Sequence, residues 1–85
     1  MKPVVVYSTR FCAFCTMAKR LLSQKGAAFE EIMVDGDDRR REEMIRRSGR
    51  RTVPQVFIGE KHVGGYDDLV ALERNGQLGP LLKDE

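Results

Sequence analysis

Cys12 and Cys15 are the chain's two cysteines, and they form a Cys-Ala-Phe-Cys pair lying between two unlike apolar patterns. Before the pair, Val4-Val5-Val6-Tyr7 is short, continuous and β-branched, as in a strand buried on both faces. After it, Phe14, Met17, Ala18, Leu21 and Leu22 recur at helical spacing and read as the buried face of a helix. The pair therefore sits where a strand gives way to a helix N-terminus, where backbone N–H groups lack partners and the helix dipole favours an anion. A thiolate is such an anion. Cys12, as N-cap or first helical residue, is placed to face the amides of Phe14 and Cys15. Sites of this kind lower a thiol from about 8.5 into the range of roughly 3.5–7.5. Arg10 is the nearest cation in sequence. Cys12 is thus the expected nucleophile, and Cys15, one turn further in and more buried, the resolving thiol. A buried cysteine is also an ordinary small core residue, and the two roles are compatible.

Other uses of two cysteines fit less well. A disulfide across two intervening residues removes little chain entropy, so a purely structural staple is a poor reading. A closed zinc site takes four ligands, and beyond this pair the chain offers one histidine, His62. The 85 residues suffice for a single small domain, expected over 1–85, with 41% hydrophobic and 33% charged residues. The net charge of +2 implies no polyanionic partner, and no stretch approaches the roughly 20 apolar residues of a membrane helix. Met1-Lys2-Pro3 leads straight into the first strand without a leader, which gives the cytoplasm as the expected compartment.

The rest of the chain supplies a fold for the pair. A first helix is expected over 13–25, with Lys19, Arg20, Gln24 and Lys25 on its wet side, and a second strand over 29–34. This strand–helix–strand unit predicts a right-handed crossover and a parallel pair. Asp38 is the expected N-cap of a second helix over 38–47, anchored by Met44 and Ile45. Val56-Phe57-Ile58 and Lys61-His62-Val63 read as a hairpin turning at Gly59-Glu60. Asp67-Asp68 is expected to cap a third helix ending at Asn75-Gly76, followed by a short last turn at Pro80-Leu81-Leu82. The order β-α-β-α-β-β-α is an α/β thioredoxin fold: a mixed four-stranded sheet with helices on both faces.

Two further constellations carry chemistry. Thr52-Val53-Pro54 precedes a strand; a cis bond there would turn the backbone of Val53 to an edge where an extended ligand can pair, though spacing alone does not choose between cis and trans. Gly64-Gly65-Tyr66-Asp67-Asp68 is a turn by default, and its glycines also allow a ligand carboxylate to approach the amides of the next helix.

With Cys12-Ala13-Phe14-Cys15, Thr52-Val53-Pro54 and Gly64-Gly65-Tyr66-Asp67-Asp68 in one order and spacing, the chain resembles the glutaredoxin family from end to end, most closely the small bacterial dithiol type. The resemblance implies a glutathione-dependent thiol–disulfide oxidoreductase acting on protein disulfides and glutathionylated proteins, ribonucleotide reductase among the possible ones, as a monomer. It also implies a glutathione site. Val53, beside a cis Pro54, would pair with the backbone of the tripeptide's cysteine. Tyr66 and Asp67 amides, with an Asp67 or Asp68 side chain, would hold the γ-glutamyl end, and Arg41 the glycyl carboxylate. Phe14, Thr52 and Gly65 complete the expected set. Two positions depart from the family pattern. Thr9 stands where Lys is usual, with Arg10 the expected substitute, and Ala13 stands where dithiol members have Pro, which frees a backbone N–H. Some relatives without that proline assemble a [2Fe–2S] cluster across a dimer through the first cysteine and glutathione. A cluster carrier is therefore one alternative, and a redoxin fed by thioredoxin reductase another.

Arg39, Arg40, Arg41, Arg46, Arg47, Arg50 and Arg51 crowd one stretch. Glu42 and Glu43 interrupt it and no aromatic residue interleaves it, so it reads as a solvated face and not as a nucleic-acid surface. His62 reads as a surface strand residue and not as a catalytic base.

Overall fold

A computed structural model of the protein describes residues 1–83; the last two residues of the expected 1–85 domain lie outside the described residues. The elements are β1 (Val4–Ser8), α1 (Ala13–Gln24), β2 (Glu30–Met33), α2 (Asp38–Ser48), β3 (Gln55–Ile58), β4 (Lys61–Gly64), α3 (Tyr66–Arg74) and α4 (Leu78–Leu82). They build one sheet in the order β2-β1-β3-β4, with β1 and β2 parallel and the other neighbours antiparallel. The expected thioredoxin fold is present, and the last turn is the short helix α4.

Strand alternation sorts the core onto the two faces. Val4, Val6, Val56 and Ile58 pack with Ala18, Leu22, Leu69, Leu78 and Leu82 under α1, α3 and α4. Tyr7 and Phe57 point the other way and pack with Val34 and Met44. On that second face Arg47 of α2 lies over the Phe57 ring, 4.2 Å from its centroid, and donates to the Tyr7 hydroxyl at 2.7 Å. The Tyr7 hydroxyl in turn donates to Glu43. Arg47 is therefore not part of a merely solvated face: its guanidinium ties α2 to the sheet through stacking and a hydrogen bond.

Two caps and one helix face differ from expectation. The N-cap of α2 is Asp37, whose carboxylate accepts the Arg40 amide at 3.1 Å. α3 is capped at Gly65, and Asp68, at the third helical position, reaches back to accept the Gly65 amide at 2.9 Å. The buried stripe of α1 is Cys15, Ala18 and Leu22; Phe14 and Met17 are exposed, at 58% and 40%. Residues 14, 17 and 21 form a neighbouring stripe at the same spacing, and periodicity alone does not say which of two adjacent stripes faces the sheet.

Candidate active site

Cys12 is the N-cap of α1, and its Sγ accepts the Cys15 amide at 3.1 Å. Of the two expected donors, the one that reaches the sulfur is thus Cys15. The two cysteines are joined as a disulfide with Cα atoms 5.2 Å apart. Cys15 is 1% exposed and Cys12 half-buried, so an external nucleophile or substrate reaches the sulfur of Cys12 first. The Cys15 amide and the dipole of α1 both favour negative charge forming on that sulfur.

Arg10 does not turn toward this sulfur. Its amide and its Nε both donate to Asp35 Oδ2, at 3.2 and 3.3 Å, fastening the loop before α1 to the end of β2. The Asp35 carboxyl is held below the usual carboxylate range, first by the Arg10 backbone N–H.

Beside the disulfide lies a groove of about 210 Å³ lined by Phe14, Arg50, Thr52, Val53, Pro54, Gly65, Tyr66, Asp67 and Asp68. It gathers the three expected constellations into one place. Phe14, between the cysteines in sequence, stacks on Tyr66 with centroids 6.2 Å apart and planes 28° from parallel. The opposite wall is Thr52-Val53-Pro54, with a cis Val53–Pro54 bond. No described residue hydrogen-bonds to the backbone of Val53. A Cβ placed on Gly65 would stand 3.6 Å from the Pro54 carbonyl oxygen, which shows how closely the two walls approach. Arg10 and Arg41 do not line this groove.

Arg50 does line it, and nothing in the sequence reading singled it out. Its Nη1 donates at 3.0 Å to Asp68 Oδ2, the oxygen that also accepts the Gly65 amide. These two contacts, Gly65 first, hold the Asp68 carboxyl below its usual range, so it is an anion at neutral pH. The signal was out of reach because the partners are 18 residues apart and meet only when β4 turns into α3. Gly64 is the pivot: its φ of +118° suits glycine, and a Cβ there would lie 2.9 Å from Asp68 Cγ and 3.0 Å from Arg50 Nη1.

His62 departs from the surface reading. It is half-buried, its ring lies 4.9 Å from that of Phe57, and its Nε2 is 2.8 Å from Gln55 Oε1. Burial, aided by the charge of Arg50, keeps its pKa below the usual imidazole value. Among the described residues no three His, Cys, Asp or Glu side chains gather as a metal site, and no helix is long and apolar enough to cross a membrane.

A family model described as Glutaredoxin matches residues 4–63. Glutaredoxin 3 of Escherichia coli K12 is 54% identical over 83 residues, covering 98% of this chain and 100% of that protein. The solution structure of a glutaredoxin from Brucella melitensis superposes with a TM-score of 0.87 at 52% identity, covering 98% of this chain and 90% of that one. A buckwheat glutaredoxin–glutathione complex gives a TM-score of 0.87 at 39% identity, covering 95% of this chain and 76% of that one.

Proposed function

The chain belongs to the glutaredoxin family and is a glutathione-dependent disulfide oxidoreductase, and from that premise we propose that Cys12 is its nucleophile, Cys15 its resolving thiol and the Phe14–Asp68 groove its glutathione site. The observation that carries this reading is Cys12 Sγ at the head of α1, hydrogen-bonded to the Cys15 amide, with the groove opening two residues on at Phe14.

With a glutathionylated protein, the Cys12 thiolate attacks the glutathione sulfur. The protein thiolate leaves, takes a proton, and a Cys12–glutathione disulfide remains. A second glutathione thiolate attacks the sulfur of that bound glutathione, releasing glutathione disulfide and restoring Cys12. With a protein disulfide, Cys12 forms the mixed disulfide and one substrate thiolate leaves. Cys15 then loses its proton and attacks Cys12, freeing the second substrate thiol. The resulting Cys12–Cys15 disulfide is reduced by two glutathiones in turn. The protein-disulfide cycle oxidises two glutathiones to reduce one disulfide, whereas the deglutathionylation cycle consumes one free glutathione, the other half of the released glutathione disulfide coming from the substrate.

The groove supports this by matching the tripeptide's parts. The unpaired backbone of Val53 suits an extended main chain. The Asp68 anion suits the γ-glutamyl ammonium, and the amides at the start of α3 suit its carboxylate. Arg50 adds a cation at the same end. The reading places the protein in a reducing, glutathione-rich compartment such as the cytoplasm, acting as a monomer on a range of protein substrates; ribonucleotide reductase is one of suitable chemistry.

The test is an asymmetric pair of variants in a glutathione-coupled assay. Cys15→Ser keeps deglutathionylation and loses most protein-disulfide reduction; Cys12→Ser loses both. Activity surviving in Cys12→Ser would overturn the assignment.

A further inference from the structure

The Val53 edge of the groove has no ladder of its own to hold it. Pro54 brings no N–H, and the backbone of Val53 is engaged by no described residue. The segment is instead closed by a side chain. Gln55 is 0% exposed, and its Nε2 donates to the Thr52 carbonyl at 2.9 Å and to Thr52 Oγ1 at 3.2 Å. The amide thereby spans Val53 and Pro54 and links the residue before them to the residue after them.

The direction of this bridge is fixed by chemistry. A carbonyl only accepts, so the nitrogen of the Gln55 amide must face Thr52 and its oxygen must face away. That oxygen meets His62 Nε2 at 2.8 Å, so Nε2 must carry the hydrogen. The donations run one way, from His62 to Gln55 to Thr52. A fully buried amide has no water to correct a wrong orientation, so removing the His62 donor leaves Gln55 Oε1 unsatisfied and frees the amide to turn. The His62 ring is itself set opposite Phe57 in the β3–β4 register.

We propose that Gln55 and His62 are positioning residues for glutathione, holding Thr52 and hence the Val53 backbone in the conformation that pairs with the tripeptide. The proposal rests on the reading of Val53 as a glutathione contact, and its test separates the two. Gln55→Met removes the bridge at similar size; His62→Phe keeps a ring on Phe57 and removes only the donor to Gln55. Binding of S-methylglutathione, which cannot react at its blocked sulfur, is followed by backbone amide shifts in the reduced protein. The rate of Cys12 alkylation by iodoacetamide and kcat at saturating glutathione are measured in parallel.

The expected result is a Kd raised at least fivefold in Gln55→Met and less in His62→Phe, with the Val53 amide response weakened. Alkylation rate and kcat stay near wild type, so the loss falls on KM. If Gln55→Met does not fold, His62→Phe carries the same comparison. Wild-type affinity in a folded variant overturns the positioning role, as does a fall in alkylation rate and kcat as large as the fall in kcat/KM. A wild-type protein that binds the probe without moving the Val53 amide overturns the underlying glutathione assignment instead.

Discussion

Arg50 Nη1 stands 3.0 Å from Asp68 Oδ2, and that single oxygen also takes the Gly65 amide at 2.9 Å. One carboxylate thus joins the loop after α2 to the start of α3 across the groove. A ligand ammonium arriving there meets an anion already oriented by two donors, which is preorganisation in the sense that matters for affinity. Asp68→Asn keeps an acceptor for Gly65 and removes the charge. A hydrogen bond to a charged group contributes roughly 1.5–3 kcal/mol. The Arg50 and Asp68 side chains are 48% and 45% exposed, so screening puts the effect at the lower end. The expected outcome is a rise of about tenfold in KM for glutathione, or ~1.4 kcal/mol. Steady-state kinetics with varied glutathione check it, and an unchanged KM would remove Asp68 from the site.

Gly64 makes that bridge possible. Its φ of +118° is disfavoured for any residue with a Cβ, and the added methyl would crowd both Asp68 and Arg50. Gly64→Ala is expected to cost about 1–3 kcal/mol in stability, measured by denaturant melts, together with weaker glutathione binding. An alanine variant with wild-type stability and KM would show that the backbone relaxes freely here.

Much of this was legible in sequence because it is local. Val4 and Val6 alternate with Val5 and Tyr7, the cysteines stand between this strand and a helical apolar pattern, and Gly64-Gly65 punctuates the chain before a helix. What stayed hidden depends on contacts between distant elements. Arg10 is close to Cys12 in sequence, yet the end of β2 brings Asp35 to it and claims its guanidinium. Gln55 and His62 meet because of the hairpin register, which shifts between Val56 and Phe57, an irregularity no residue pattern announces. Arg50 reads as one arginine among seven until α3 presents Asp68.

Phe14 and Leu22 show the same limit within one helix, and they separate stability from function. Leu22 is 0% exposed in the core beneath α1, while Phe14 is 58% exposed and stacks on Tyr66 at the groove. Leu22→Ala is expected to destabilise by about 2–5 kcal/mol, a large share of what a domain of this size possesses. Phe14→Ala should stay within about 0.5–1 kcal/mol of wild type and instead raise KM for glutathione. Thermal melts and kinetics on the two variants check the contrast; equal losses of stability would mean that Phe14 is part of the core after all.

Glu31 gives the protein an acid-sensitive tie between β2 and α1. Lys19 Nζ lies 2.7 Å from its Oε2, and Ser8 Oγ donates to the same oxygen. Lys19 first, then Ser8, hold the carboxyl below its ordinary value of 4.5. A carboxyl whose pKa is depressed on folding contributes stability above its unfolded pKa and loses it as pH falls through the folded one. Glu31→Gln removes that contribution without changing side-chain size. The melting temperature of the variant should therefore lie below wild type at neutral pH, with the gap constant down to about 4.5 and closing as the pH falls further. High salt should narrow the neutral-pH gap only partly, because the Lys19 and Glu31 side chains are 28% and 29% exposed. Asp68 and Asp35 are depressed in the same direction, so both proteins lose stability in acid, and the difference between them isolates Glu31. Parallel melts from neutral to acid pH decide it: a gap that persists well below 4.5 would mean that Glu31 acts by packing and not by charge.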